Sequence, residues 1–141
     1  MTATATETRS VVVEREIPHP PEKIWRALTQ PHLIEEWLMS TDFQPVVGAR
    51  FNLRSTPAPN FDLVIDCQVR VVEPNRTLAY TWDAMGLESV VTWTLTPSGA
   101  GTRLRMEQAG FRPDQKQALM GATAGWPKFF EGLERVLAGL D

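Results

Sequence analysis

Between Arg50 and Gln108 the hydrophobic residues recur every second position, and beyond Pro113 they recur at about 3.6 residues. That switch of period limits the chain to a run of strands followed by one helix. Phe51 and Leu53 alternate with Arg50, Asn52 and Arg54. Phe61, Leu63, Ile65, Cys67, Val69 and Val71 share one parity against Asp62, Asp66, Gln68 and Arg70. Leu78, Tyr80 and Trp82 alternate with Ala79, Thr81 and Asp83, and Val91, Trp93 and Leu95 with Thr92, Thr94 and Thr96. Leu104 and Met106 oppose Arg103, Arg105 and Glu107. Pro57 to Asn60, Pro74-Asn75, Met85-Gly86 and Pro97 to Gly101 are the breaks between these runs. Consecutive strands with short turns and one polar face each describe an antiparallel meander that is wet on one side.

The start of the chain adds one strand and two short helices. Val11 to Ile17 is β-branched and reads as a strand. Pro18, Pro20 and Pro21 stop it, since proline cannot donate to a sheet ladder. Pro21 suits the first turn of a helix and Glu22 the positive end of its dipole. Ile24, Trp25, Ala27 and Leu28 give that helix an apolar face, and Pro31 opens a second with Leu33, Ile34, Trp37 and Leu38. Ser40 to Gly48 reads as irregular. From Pro113 onward Leu119, Ala122, Trp126, Phe129, Phe130, Leu133, Val136, Leu137 and Leu140 form one broad stripe. Gly121, Gly125 and Pro127 are places for that helix to bend or restart. The expected fold is α+β: a curved six-stranded antiparallel sheet around a long C-terminal helix, in the order β-α-α-β-β-β-β-β-α. Residues 1–10 read as a flexible tail and residues 11–141 as one domain.

Composition narrows the partners. A net charge of −3 is small and of the wrong sign for a nucleic-acid surface. No stretch approaches the roughly 20 apolar residues of a membrane span. Met1 to Ser10 has no apolar core of a signal peptide. The lone Cys67 precludes an internal disulfide and fits a reducing compartment, so the cytoplasm is expected. An exposed strand edge or helix face leaves room for a homodimer. His19 and His32 lack ligand spacing, and no Gly-x-Ser-x-Gly, Gly-x-Gly-x-x-Gly or Walker pattern is present. No metal, cofactor or catalytic constellation is therefore expected.

Several stretches resemble a known family. They are Pro20-Pro21-Glu22-Lys23-Ile24-Trp25-Arg26-Ala27-Leu28-Thr29, Trp37-Leu38, Val47-Gly48-Ala49-Arg50-Phe51, the run from Val69 through Glu73-Pro74-Asn75 to Tyr80-Thr81-Trp82, and Gly125-Trp126. In order and spacing the chain is similar to the START-like (SRPBCC, birch-pollen-allergen-type) superfamily. Within it, the match is to the branch named after the activator of the 90-kDa heat-shock-protein ATPase. The resemblance implies a helix-grip fold with a hydrophobic cavity between sheet and long helix.

Four of the five tryptophans, Trp37, Trp82, Trp93 and Trp126, belong to the candidate lining of that cavity. The inward parity carries Phe51, Leu53, Val69, Tyr80, Trp82, Val91, Trp93 and Met106, and the helix carries Trp126 and Phe130. Such aromatics either fill a core or line a pocket, with Tyr O–H and Trp N–H as its polar handles. By the family pattern Trp37 sits at the mouth. Arg15 shares parity with Val13 and Ile17, so its guanidinium needs a partner. The alternatives are an ion pair with Glu131 or Glu134, an anchor for a ligand carboxylate or phosphate, or a bulge that turns it to solvent. Gln108 shares parity with Leu104 and Met106 and is either tied internally or offers a ligand one hydrogen bond. The functional expectation is a domain that binds an apolar or amphipathic small molecule. Its rivals are a cavity enzyme of the cyclase or hydrolase type, using Tyr80, Gln108 or Arg15, and a chaperone-activator-like interaction module.

Overall fold

The alternating runs form strands β3 (Arg50–Ala58), β4 (Phe61–Glu73), β5 (Thr77–Ala84), β6 (Leu87–Ser98) and β7 (Gly101–Phe111) in the computed structural model, which describes residues 8–140. Each pairs antiparallel with the next. Strand β1 (Arg9–Ile17) adds to the far side of β7, opposite to it in direction. Thus Arg9 and Ser10 belong to the sheet; residues 1–7 of the expected tail lie outside the described residues. Helices α1 (Pro21–Thr29) and α2 (Pro31–Trp37) follow, both with proline in the first turn. Ile24, Ala27 and Leu28 are the buried face of α1, and Leu33, Ile34 and Trp37 that of α2.

Two details depart from the alternation. With Ser40–Thr41 as β2, the sheet has seven strands rather than six, in the order β1-β7-β6-β5-β4-β3-β2. The extra strand, β2 (Ser40–Thr41), falls in the stretch expected to be irregular and pairs with Leu53 and Arg54. It is held by backbone pairing and by Thr41 Oγ1 donating to Asn52 O at 2.8 Å, neither of which leaves a hydrophobic period. In β4 the register slips between Val69 and Val71, so Arg70 is an extra residue and Val72, not Val71, packs on the core.

A second bulge positions the region of interest. Against β1 the register of β7 slips between Ala109 and Phe111, leaving Gly110 unpaired at φ +123°. A Cβ there would lie 2.7 Å from Glu88 O, so only glycine fits. The slip turns Phe111 to the same inward face as Gln108, and Phe111 is fully buried.

Helix α3 (Lys116–Ala138) covers the inward face of the sheet and runs unbroken through Pro127. Its buried residues are Trp126, Phe130, Gly132, Leu133 and Leu137. All lie from Trp126 onward. They share one buried core with Ile17, Leu78, Trp93, Leu104 and Met106 of the sheet. Full burial of such a side chain contributes about 1.5–3 kcal/mol. Among the described residues no helix is long and apolar enough to cross a membrane.

Candidate functional site

The space between sheet and helix is closed at one end. Phe43, Phe51 and Tyr80 meet edge to face, with Phe43 and Phe51 4.9 Å apart and Phe51 and Tyr80 5.4 Å apart. Trp93 stands edge-on to Trp37 at 5.6 Å and lies 5.6 Å from Phe130. The Trp93 indole N–H donates to the Tyr80 hydroxyl at 3.1 Å, and the Trp37 indole N–H to Ala27 O at 2.9 Å. Burial pushes the Tyr80 phenol well above its ordinary range, so it keeps its proton at any ordinary pH. These rings pack edge to face and tilted against one another, each buried.

The other end is open. A hollow of about 390 Å³ lies between the sheet and the first half of α3. Leu63 and Ile65 of β4, with Trp82 and Ala84 of β5, form its floor. Leu87 of β6 and Gln108 and Phe111 of β7 form one side, while Met39 and Met85 flank the ends. The roof is Ala118, Gly121, Ala122, Gly125, Trp126 and Phe129. No ionisable side chain lines it. The roof explains the space: a Cβ added at Gly121 or Gly125 would meet nothing within 4 Å. Between Lys116 and Gly125 no side chain of α3 is buried.

Polar groups at the inner wall form one directed chain. Indole nitrogen can only donate, so the Trp126 N–H donating at 2.8 Å fixes which end of the Gln108 amide is oxygen. Gln108 Nε2 donates to Ser89 Oγ at 3.0 Å, and that hydroxyl donates to Trp82 O at 2.7 Å. Sheet and helix are thus joined through a side chain that is 2% exposed.

Of the residues expected to line a cavity, Trp82, Gln108 and Trp126 do so. Phe51, Leu53, Val69, Tyr80, Val91, Trp93, Met106 and Phe130 are buried in the packed core, and Trp37 is buried beneath α3 rather than lying on the hollow's wall. Arg15 is exposed on the edge strand β1, with Nη1 donating to Glu14 O at 3.3 Å and its guanidinium 5.7 Å from the Phe130 ring centre. Its long stem carries the charge past the inward face to water, which a strand edge permits. Among the described residues it forms no ion pair with Glu131 or Glu134. Leu63, Leu87, Phe111 and the small residues of α3 line the hollow as well and are not among the residues expected from the sequence. The sequence signals were Gly110, which flips the parity of Phe111, and the pair Gly121 and Gly125 at helical spacing.

A larger hollow of about 740 Å³ lies elsewhere, among Pro20, Pro21, Arg76, Thr94, Thr96 and Pro97. It sits where the start of α1 meets the turns at the rim of the sheet, outside the layer between sheet and α3. Its threonines and Arg76 leave it a wet surface cleft, so the smaller, apolar hollow is the better candidate.

An antiparallel sheet gripping a long C-terminal helix, with an apolar hollow between them, is the helix-grip architecture. The chain belongs to the activator of Hsp90 ATPase homolog 1-like family, whose model matches residues 18–138. A solved protein of Mesorhizobium loti is 60% identical, with a TM-score of 0.87 over 94% of this chain and 99% of that one. DynU16, a protein in the dynemicin biosynthetic locus, is 28% identical with a TM-score of 0.77, over 92% of this chain and 47% of that one. CalU16 of Micromonospora echinospora is 25% identical with a TM-score of 0.79, over 93% and 77%. Comparison with curated proteins gives no match.

Proposed function

We propose that the chain binds an apolar or amphipathic small molecule in the hollow between Trp82 and the first half of α3. The observation that carries this is the roof. An internal helical glycine destabilises by about 1 kcal/mol relative to alanine. Neither Gly121 nor Gly125 has a positive φ or a crowded neighbour to require it. What the two glycines provide is space, and they provide it over a wall of aliphatic and aromatic carbon. The volume of about 390 Å³ falls in the range of small-molecule sites, about 300–1,000 Å³. That DynU16 belongs to a biosynthetic locus agrees with a small organic ligand.

The test uses N-phenyl-1-naphthylamine, a neutral probe that brightens in apolar surroundings. The expected result is a saturable rise in emission. Gly125→Leu fills the hollow and weakens the probe by about tenfold or more, a difference of about 1.4 kcal/mol, while the protein stays folded. Absence of saturable binding, or equal binding by folded Gly125→Leu, contradicts the proposal.

A further inference from the structure

We infer that the ligand of this hollow is a neutral molecule carrying a hydrogen-bond acceptor, of the ketone, ester or amide carbonyl class, which the indole N–H of Trp82 receives. The inference rests on the proposed ligand-binding role of the hollow and adds what the wall selects.

Two observations lead there. Trp37, Trp93 and Trp126 each donate their indole N–H to an internal acceptor. Trp82 also lines the hollow, is 8% exposed, and donates its N–H to no acceptor among the described residues. No buried side-chain nitrogen or oxygen lacks a partner among the described residues, so this N–H is accessible rather than sealed in carbon. An accessible donor on a nearly buried residue that lines an apolar hollow is matched by an acceptor on whatever fills that space.

Gln108 points the same way. Its oxygen takes the Trp126 N–H and one Nε2 hydrogen goes to Ser89, which leaves the second Nε2 hydrogen without an acceptor among the described residues. The side-chain polarity offered by the wall is therefore donor-rich. It is also uncharged, since no lysine, arginine or histidine lines the hollow to neutralise an anion. A carboxylate or phosphate drawn inside would lose its hydration without a counter-charge, which is far costlier than leaving a neutral carbonyl half-satisfied. An anionic ligand is admitted only with its charged end in solvent at the Met85 end, where that methionine is 83% exposed.

Three probes of one ring size test this by calorimetry at pH 8: naphthalene, 2-acetylnaphthalene and 2-naphthoate. The expected result is that the ketone binds about tenfold more tightly than naphthalene, the gain of about one hydrogen bond to a buried donor. The carboxylate binds more weakly than either. Trp82→Phe keeps an aromatic ring, smaller than the indole, and removes the N–H; it brings the ketone-to-naphthalene affinity ratio down to about one, a ratio that the lost ring area, common to both probes, does not set. Equal binding of ketone and naphthalene by the unaltered protein, or tightest binding by the carboxylate, overturns the inference while the ligand-binding role stands. Binding of none of the three overturns both. The probe comparison on the unaltered protein decides the matter even if Trp82→Phe fails to fold.

Discussion

Helix α3 crosses the same sheet along its whole length, yet its two halves do opposite things. In the C-terminal half Phe130, Leu133 and Leu137 are fully buried against Trp93, Leu104 and the rest of the core. In the first half, from Lys116 to Gly125, nothing is buried, and glycine and alanine face a hollow of about 390 Å³. Backbone architecture does not distinguish the halves; side-chain size does. One half supplies cohesion and the other, relieved of it, supplies space. The Trp126–Gln108–Ser89 chain marks the border, since Trp126 and Gln108 belong to the packed core on one side and the hollow on the other.

Substitutions in the two halves separate these roles. The largest effect belongs to Phe130→Ala, which opens a cavity in the packed end and is expected to cost about 3–5 kcal/mol, read as a lower midpoint in urea. A cost near zero would mean that this end is as loose as the other. Next comes the border. Gln108→Leu strands the Trp126 N–H and is expected to cost about 1–3 kcal/mol in the same measurement, with part recovered when Trp126→Phe is added. In the open half the sign reverses: Gly121→Ala stabilises by about 1 kcal/mol, raising the melting temperature by about 4 °C. A drop would show that the glycine is sterically required.

The smallest effect lies outside the interface. Glu16 and Arg103 pair across β1 and β7 at 2.7 Å, both more than half exposed. The hydrogen bond from Arg103 is the main cause that holds the Glu16 carboxyl below its usual range. A lowered folded-state value means that this contribution is present above the unfolded value, about 4.3, and is lost as pH falls through the folded one. Arg103→Met should therefore lower stability slightly at neutral pH and flatten its loss on acidification. The difference should shrink in salt, as for any exposed pair.

How much of this was legible beforehand follows the same division. Strands β3 to β7 and helix α3 were readable because each buries one face, so that residues such as Phe51, Leu53 and Leu133 write the period into the sequence. Strand β2 was not, because two residues held by backbone bonds carry no period. The bulges at Arg70 and Gly110 each insert a residue and invert parity beyond it, so strict alternation does not place Val72 or Phe111 inward. The hollow was harder still. Periodicity weighs large apolar side chains, so it drew attention to Tyr80, Trp93 and Phe130, which turn out to close the packed end. A cavity lies where side chains are small, and its mark here was Gly121 and Gly125 inside a helix. Arg15 shows a further limit: its parity is inward, but an edge strand lets a long side chain escape to water.

The most direct measurement is a crystal structure of the protein grown with 2-acetylnaphthalene. The account predicts density for the ring system under Gly121 and Gly125, with the ketone oxygen within hydrogen-bond distance of Trp82 Nε1. Density only in the cleft beside Pro20 and Arg76, or side chains that collapse to close the space under α3, would contradict it.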